Sequence, residues 1–213
     1  MNKKTDIAAL RLNYLLNELL EENVLENPFK QFEKWFNEAV DFKVLEPNAM
    51  HLATISNGKP HGRIVLLKGF DENGFVFFTN YESNKGKEIA ETPFASLTFF
   101  WGAMERQVRI EGGIVKTTPS ESDEYFQARP RGSQIGAWVS HQSAVVTREA
   151  LEIRQKELEA HYGDGFIPRP PYWGGYRVIP ERIEFWQGRP SRLHDRILFT
   201  DADGVWKMER LSP

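Results

Sequence analysis

Near its end the chain reads Glu184-Phe-Trp-Gln-Gly-Arg-Pro-Ser-Arg-Leu-His-Asp-Arg196, a run that concentrates basic, proton-exchanging and aromatic side chains. If residues 192–196 are extended, Arg192, His194 and Arg196 share one face, because strand side chains alternate with period two. Such a cationic comb suits an anion and a proton relay; it equally fits an edge strand charged against aggregation. Three more groups carry similar chemistry. Arg63-Ile-Val-Leu-Leu-Lys68 has a cation at each end of an apolar run, and both guanidinium and ammonium suit oxyanions. Their odd separation puts Arg63 and Lys68 on opposite faces of a regular strand, which calls for two anions or a strand irregularity; charges snorkelling from a buried strand are the plainer alternative. Phe78-Thr79-Asn80, followed by Ser83-Asn84-Lys85, runs a strand into a helix N-terminus, either a phosphate seat or simply a capped helix. Tyr125 and Arg129, four apart on one helix, with Ser133 in the loop after Pro130, could meet a second phosphate or form a solvated face. Gln142-Ser143 adds polar groups in a loop. Cations spread over so many segments fit two phosphorylated ligands better than one.

These residues must be held by regular elements. Leu10, Tyr14 and Leu15 repeat at helical spacing and predict an amphipathic helix over 6–22. Asn27 as cap, Pro28 as first helical residue and the stripe Phe29, Phe32, Trp35, Phe36 and Ala39 predict a second. Short runs rich in branched and aromatic residues follow at 49–55, 62–70, 75–80, 94–101 and 105–116, with Asn57-Gly58 and Asp71-Glu-Asn-Gly74 as hairpin turns. A short serine-capped helix interrupts them at 83–91. Thr118-Pro-Ser-Glu121 is a capping box opening a helix that Pro130 ends, and Thr147 to Tyr162 forms a longer helix stopped by Gly163. Strands near 176–180, 182–187, 194–200 and 204–210 close the chain. This pattern predicts an α+β domain, mainly β: an antiparallel barrel with helices packed outside.

Composition narrows the function. The 213 residues fit one domain, and 40% hydrophobic with 13% aromatic content excludes wholesale disorder. A net charge of -3 argues against nonspecific nucleic-acid binding, which runs on phosphate neutralisation. There is no cysteine, which removes disulfides, thiolate metal sites and a cysteine nucleophile and is compatible with a reducing cytoplasm. Asp6, Arg11, Asn13, Asn17 and Glu18 interrupt the N-terminal apolar residues, so neither a signal peptide nor a membrane span is expected. Dinucleotide, P-loop, zincin and serine-hydrolase motifs are absent from the sequence, and no metal cluster is expected.

From Arg11-Leu-Asn-Tyr14 to Arg210-Leu-Ser-Pro the chain resembles the pyridoxine (pyridoxamine) 5'-phosphate oxidases, flavin enzymes of the split-barrel fold. The resemblance rests on Arg63-Ile-Val-Leu-Leu-Lys68, Glu105-Arg-Gln-Val108, Tyr125-Phe-Gln-Ala-Arg-Pro-Arg131, Ser133-Gln-Ile-Gly-Ala-Trp-Val-Ser140, Tyr172-Trp-Gly-Gly-Tyr-Arg177, Phe185-Trp-Gln-Gly and Arg192-Leu-His-Asp-Arg196. It implies a single FMN-binding split-barrel domain over 1–213, a homodimer with FMN at the subunit interface, and an N-terminal lid. FMN would be held by Arg63, Ile64, Val65, Leu66, Leu67, Lys68, Phe78, Thr79, Lys85, Gln107, Gln142, Ser143, Trp186 and Arg196. The substrate would meet Lys68, Tyr125, Arg129 and Ser133 at its phosphate, Arg192 and His194 over its ring, and Arg11 and Tyr14 in the lid. The implied reaction converts pyridoxine 5'-phosphate or pyridoxamine 5'-phosphate to pyridoxal 5'-phosphate with O2 as acceptor, with Arg192 and His194 as the catalytic pair. The family usually has Arg-Lys where this chain has Asn84-Lys85, so Lys87 or the helix amides are expected to compensate. Rival readings are another split-barrel flavin oxidoreductase, a noncatalytic flavin or pyridoxal phosphate binder, and an oligonucleotide-binding barrel, the last disfavoured by the acidic balance.

Overall fold

The computed structural model describes residues 6, 7, 10 and 13–213. The described residues form strands β1 (Ala49–Ser56), β2 (Lys59–Leu66), β3 (Gly69–Asp71), β4 (Gly74–Asn80), β5 (Phe94–Trp101), β6 (Arg106–Lys116), β7 (Trp173–Gln187), β8 (Asp195–Ala202) and β9 (Val205–Arg210). The helices are α1 (Pro28–Asp41), α2 (Asn84–Glu91), α3 (Pro119–Ala128), α4 (Arg131–Val139) and α5 (Arg148–Tyr162). By its internal contacts the chain divides into two compact units. One comprises Met1–Pro47, Thr98–Arg109 and Arg182–Pro213, the other Asn48–Leu97 and Ile110–Glu181.

The strand order is β2-β1-β5-β6-β7-β4-β3; the second unit holds β1–β4, the first half of β5 and the larger parts of β6 and β7. Asn57 and Gly58 both take positive φ, 51° and 71°, which matches the right-handed strand twist and closes the β1–β2 hairpin with Ser56 opposite Lys59. The predicted run 62–70 is two strands rather than one, because the chain leaves the ladder at Leu67 and Lys68 and restarts at Gly69. Phe75, Phe77, Leu52, Leu97, Ile110 and Val178 are fully buried there, each worth roughly 1.5–3 kcal/mol of apolar transfer. The predicted caps are present: Ser83 accepts from Gly86 N, Thr118 and Glu121 form the capping box, and Thr147 accepts from Ala150 N. Helix α4 is not among the predicted elements, and it stands where Ser133 is expected in a loop after Pro130. Pro130 both ends α3 and serves as the N-cap of α4, and Ile135, Trp138 and Val139 then fall at helical spacing.

In the first unit, Asn27 caps α1 by accepting from Phe29 N and Lys30 N. The predicted stripe packs as expected, with Phe32 against Phe99 at 5.1 Å and Trp35 edge-on to Phe185 at 5.3 Å. The helix expected over 6–22 is not formed where it can be followed: residues 13–20 carry no helix, and Glu21–Asn23 is a 3-10 turn. Tertiary partners replace helical bonds here, since Leu16 N donates to Glu105 and Leu19 N to Asp195. The two predicted strands at 176–180 and 182–187 are one continuous β7. Its later part pairs antiparallel with β8, which pairs with β9.

Candidate active site

A cavity of about 920 Å3 in the second unit collects most of the residues singled out from sequence. Arg63, Ile64, Val65, Leu66, Lys68, Phe78, Thr79, Lys85, Tyr125, Arg129, Ser133, Gln142 and Ser143 all line it. Arg63 and Lys68 reach the same space despite their odd separation because the strand ends between them, at Leu66. The strand irregularity is what brings the pair to one cavity. Leu67 is the exception in this segment: it is buried, its N–H donates to Asn48 O, and it does not line the cavity.

The lining is electrostatically one-sided. Among the described residues it holds four cationic side chains, Arg63, Lys68, Lys85 and Arg129, and no carboxylate. Lys85 is 8% exposed, and its Nζ donates only to hydroxyls, Thr79 Oγ1 at 3.2 Å and Ser83 Oγ at 3.3 Å. Burial, with the Arg63 charge, pushes its pKa below the usual lysine value, while Glu88 pulls it back up. Buried ammonium groups need anionic or hydrogen-bonding compensation, and hydroxyl partners leave room for an anion. Gln142 accepts from Thr79 Oγ1 at 3.2 Å, and Ser143 Oγ accepts from Asn84 N at 3.2 Å, tying this loop to the start of α2. Lys87 is exposed and does not line the cavity, whereas Asn84 does.

At the other side of the cavity, Arg129 follows the end of α3 with its guanidinium 4.6 Å from the centre of the Trp173 ring. Its Nη1 is buried with no hydrogen-bond partner among the described residues, a costly arrangement for a charged donor unless a ligand completes it. Burial lowers its pKa, opposed by Tyr125, but an arginine keeps its charge in proteins. Tyr125 stacks on Phe78 at 4.0 Å, and Phe78 on Trp173 at 5.6 Å, giving the cavity a flat aromatic wall. Ser133 lies on α4, not in the predicted loop, so a rigid element fixes its hydroxyl. Trp173, Gly136, Ala137 and Ser140 also line the cavity; they stand in the quoted motifs, but the sequence reading gives them no site role. The helical spacing of Ile135, Trp138 and Val139 was the available signal for the α4 residues. Trp173 stands in the quoted motif at 172–177, but the partners of its ring, Phe78, Tyr125 and Arg129, lie far away in the chain.

The remaining candidates belong to the first unit. The 192–196 comb does not exist as a strand face: Pro190–Arg192 is a 3-10 turn, Ser191 and Arg192 have φ of 57° and 62°, and β8 begins at Asp195. Proline fixes its own φ, and two left-handed residues turn the chain before extension resumes. Arg192 is exposed and makes no hydrogen bond or ion pair among the described residues. His194 accepts from Arg189 N through Nδ1 at 3.1 Å, which leaves Nε2 as the nitrogen that carries the proton in the neutral ring. Burial and the Arg192 charge lower its pKa, with Asp195 opposing. Its ring lies 4.7 Å from Trp186 and 5.8 Å from Tyr14, and Tyr14 lies edge-on to Trp186. Arg196 is engaged bidentately by Glu184, at 2.8 and 3.1 Å, a partner not singled out from sequence. Gln107 lies near the start of β6, half-buried. Arg11 lies outside the described residues.

Behind the cavity, Glu88 of α2 receives Arg63 Nη2 at 2.7 Å and Thr54 Oγ1, and meets His61 Nδ1 at 2.6 Å. Burial raises its pKa, but the hydrogen bonds from His61, Thr54 and Arg63 and the Arg63 charge prevail and hold it at about 2, against an ordinary 4.5. A depressed carboxylate adds stability that is complete above its unfolded value and is lost as pH falls through its folded one. Glu88→Gln is therefore expected to flatten the dependence of melting temperature on pH between about 4.5 and 2. A slope equal to the wild type over that window would contradict it.

Comparison with known proteins identifies the family. Residues 36–162 match the family model described as pyridoxamine 5'-phosphate oxidase, and residues 173–213 match the pyridoxine 5'-phosphate oxidase C-terminal dimerisation region. The chain is 59% identical over 213 residues to a pyridoxine/pyridoxamine 5'-phosphate oxidase of Paraburkholderia phytofirmans, covering 98% of this chain and 100% of the relative. It is 60% identical over 210 residues to the protein of the same name from Paraburkholderia phymatum, covering 97% and 99%. The crystal structure of PhzG from Burkholderia lata in complex with tetrahydrophenazine-1-carboxylic acid superposes with a TM-score of 0.87 at 32% identity, covering 93% of this chain and 99% of that one. An FMN-binding protein related to pyridoxamine 5'-phosphate oxidase, from Nostoc punctiforme, shares the fold at a TM-score of 0.69 and 18% identity, covering 88% and 98%.

Proposed function

The chain belongs to the pyridoxamine 5'-phosphate oxidase family, and on that premise we propose that it oxidises pyridoxine 5'-phosphate and pyridoxamine 5'-phosphate to pyridoxal 5'-phosphate with FMN as cofactor. O2 is the terminal acceptor; H2O2 leaves with either substrate, and the amine also consumes water and releases ammonia. The observation that carries this reading is the cavity with, among the described residues, four cations, no lining carboxylate and an unpaired buried Arg129 Nη1. Its size lies at the upper end of the few hundred to about 1,000 Å3 typical of ligand pockets, which suits two ligands side by side.

The residues present fit FMN. A phosphate is a partner for Lys85, whose present acceptors are hydroxyls, and for Thr79, Gln142 and Ser143 around it. Bound FMN would supply the chemistry of hydride acceptance and of reaction with dioxygen. The protein's own contribution is binding, orientation and electrostatics. Arg129, Tyr125, Ser133 and Lys68 would grip the substrate phosphate, and the aromatic wall of Phe78, Tyr125 and Trp173 would exclude water beside it. With Nδ1 committed to Arg189 N, His194 presents Nε2–H as a donor to the substrate, and Arg192 adds charge and orientation over its ring. The dimerisation-region match supports a homodimer in which each site draws on both chains, and the cysteine-free composition supports a cytoplasmic location.

The purified protein is expected to be yellow, to bleach when mixed with pyridoxine 5'-phosphate without air, and to take up oxygen with both vitamers. Yellow protein that does not bleach would favour a flavin carrier instead. Bleaching by tetrahydrophenazine-1-carboxylic acid but by neither vitamer would favour a ring substrate like the one bound to the PhzG relative.

A further inference from the structure

We propose that Glu88 is a positioning residue for the anion cavity, holding the Arg63 guanidinium in its binding pose, with Thr54 and His61 holding Glu88 in turn. The inference rests on the reading of this cavity as the seat of the FMN phosphate. Arg63 lines the cavity, whereas Glu88 does not. Glu88 sits on α2, 6% exposed, and takes Arg63 Nη2 at 2.7 Å. Arg63 Nη1 donates to Thr54 Oγ1, itself 1% exposed, and Thr54 Oγ1 donates to the same carboxylate oxygen, Glu88 Oε2. The other oxygen, Oε1, meets His61 Nδ1 at 2.6 Å. Both guanidinium amino groups are thus fixed from behind, and the carboxylate is fixed at both oxygens. An arginine has five donors, and a phosphate needs only the face turned towards it, so the two engagements are compatible.

The position of Glu88 on α2 gives the arrangement a second consequence. Lys85, one helical turn earlier, enters the same cavity and feels both the Arg63 and the Glu88 charges. One buried carboxylate therefore offsets part of the repulsion between two cations that must stand close together before any anion arrives. Glu88 keeps the empty cavity organised, and the ligand then meets cations already in place. Preorganisation of this kind lowers the ordering cost of binding.

Two physical effects oppose each other here, which makes the sign of a substitution informative. If Glu88 acted only as a negative charge behind the cavity, removing it would tighten phosphate binding. If it positions Arg63, removing it frees a long side chain whose reordering costs affinity. FMN and riboflavin, which lacks the phosphate, should be titrated against apoprotein by flavin fluorescence quenching for the wild type, Glu88→Gln, Arg63→Ala and the double variant. Glu88→Gln is expected to weaken FMN binding by about three- to tenfold and to leave riboflavin binding unchanged, with no further loss in the Arg63→Ala background. Unchanged or tighter FMN binding, or an equal loss for riboflavin, would overturn the proposal. Should Glu88→Gln fail to fold, His61→Ala serves instead, since that side chain is 45% exposed; it should weaken FMN binding in the same phosphate-dependent way, and unchanged affinity would overturn the proposal. Wild-type protein that binds neither flavin would instead refute the cavity assignment, and the Glu88 role with it.

Discussion

Arg129→Met is expected to raise the Michaelis constant for pyridoxamine 5'-phosphate by about thirtyfold or more while leaving FMN affinity within about twofold. Removing one partner of a desolvated, hydrogen-bonded charge pair costs roughly 2–5 kcal/mol, and about 1.4 kcal/mol is a factor of ten. Arg129 meets the conditions for a loss of that size. Its Nη1 is buried without a partner among the described residues, and its guanidinium lies 4.6 Å from the centre of the Trp173 ring. Methionine keeps apolar contact with the ring and removes only the charge and donors, so the fold should tolerate it. Steady-state kinetics with both vitamers, beside a flavin titration, checks the outcome. An unchanged Michaelis constant would remove Arg129 from the substrate site, and a parallel loss of FMN would move it to the cofactor.

Arg192→Ala is expected to slow flavin reduction by about a hundredfold, read as the anaerobic bleaching rate at saturating substrate. Losing one preorganised donor that acts on developing charge typically costs 10²- to 10³-fold, and the lower end suits an exposed side chain. Arg192 has no hydrogen bond or ion pair among the described residues that would give it a structural role. It occupies a left-handed conformation, with φ of 62°, in a turn where Ser191 does the same. Non-glycine residues held in this region cost free energy and tend to persist at functional positions. An unchanged bleaching rate would exclude a role in the reaction, and a change confined to the Michaelis constant would restrict Arg192 to binding.

The elements legible in the sequence were those with local causes. Asn27 and Pro28, Thr118 and Glu121, and Thr147 each marked a helix start that the fold contains. Asn57-Gly58 marked a hairpin through the backbone freedom it requires. The errors came where one signal had two meanings. Pro130 reads as a stop, yet it also caps α4, and the helix that carries Ser133 was lost with it. The repeat of Leu10, Tyr14 and Leu15 has helical spacing, but residues 13–20 make tertiary hydrogen bonds instead of helical ones. Alternation from Arg192 to Arg196 assumes extension, which the turn at Pro190–Arg192 removes.

By itself the sequence determined the family, the α and β elements with strong local signals, and the residue types able to hold two phosphates, because caps, turns and motifs are written in neighbouring residues. Only the tertiary structure decided that Arg63 and Lys68 face one cavity, that Trp173 backs Arg129, and that Glu88 grips Arg63 from behind. Each of these depends on where a strand ends or on contacts between segments far apart in the chain. Pairing, burial and charge compensation across such distances arise from packing, and no local spacing encodes them.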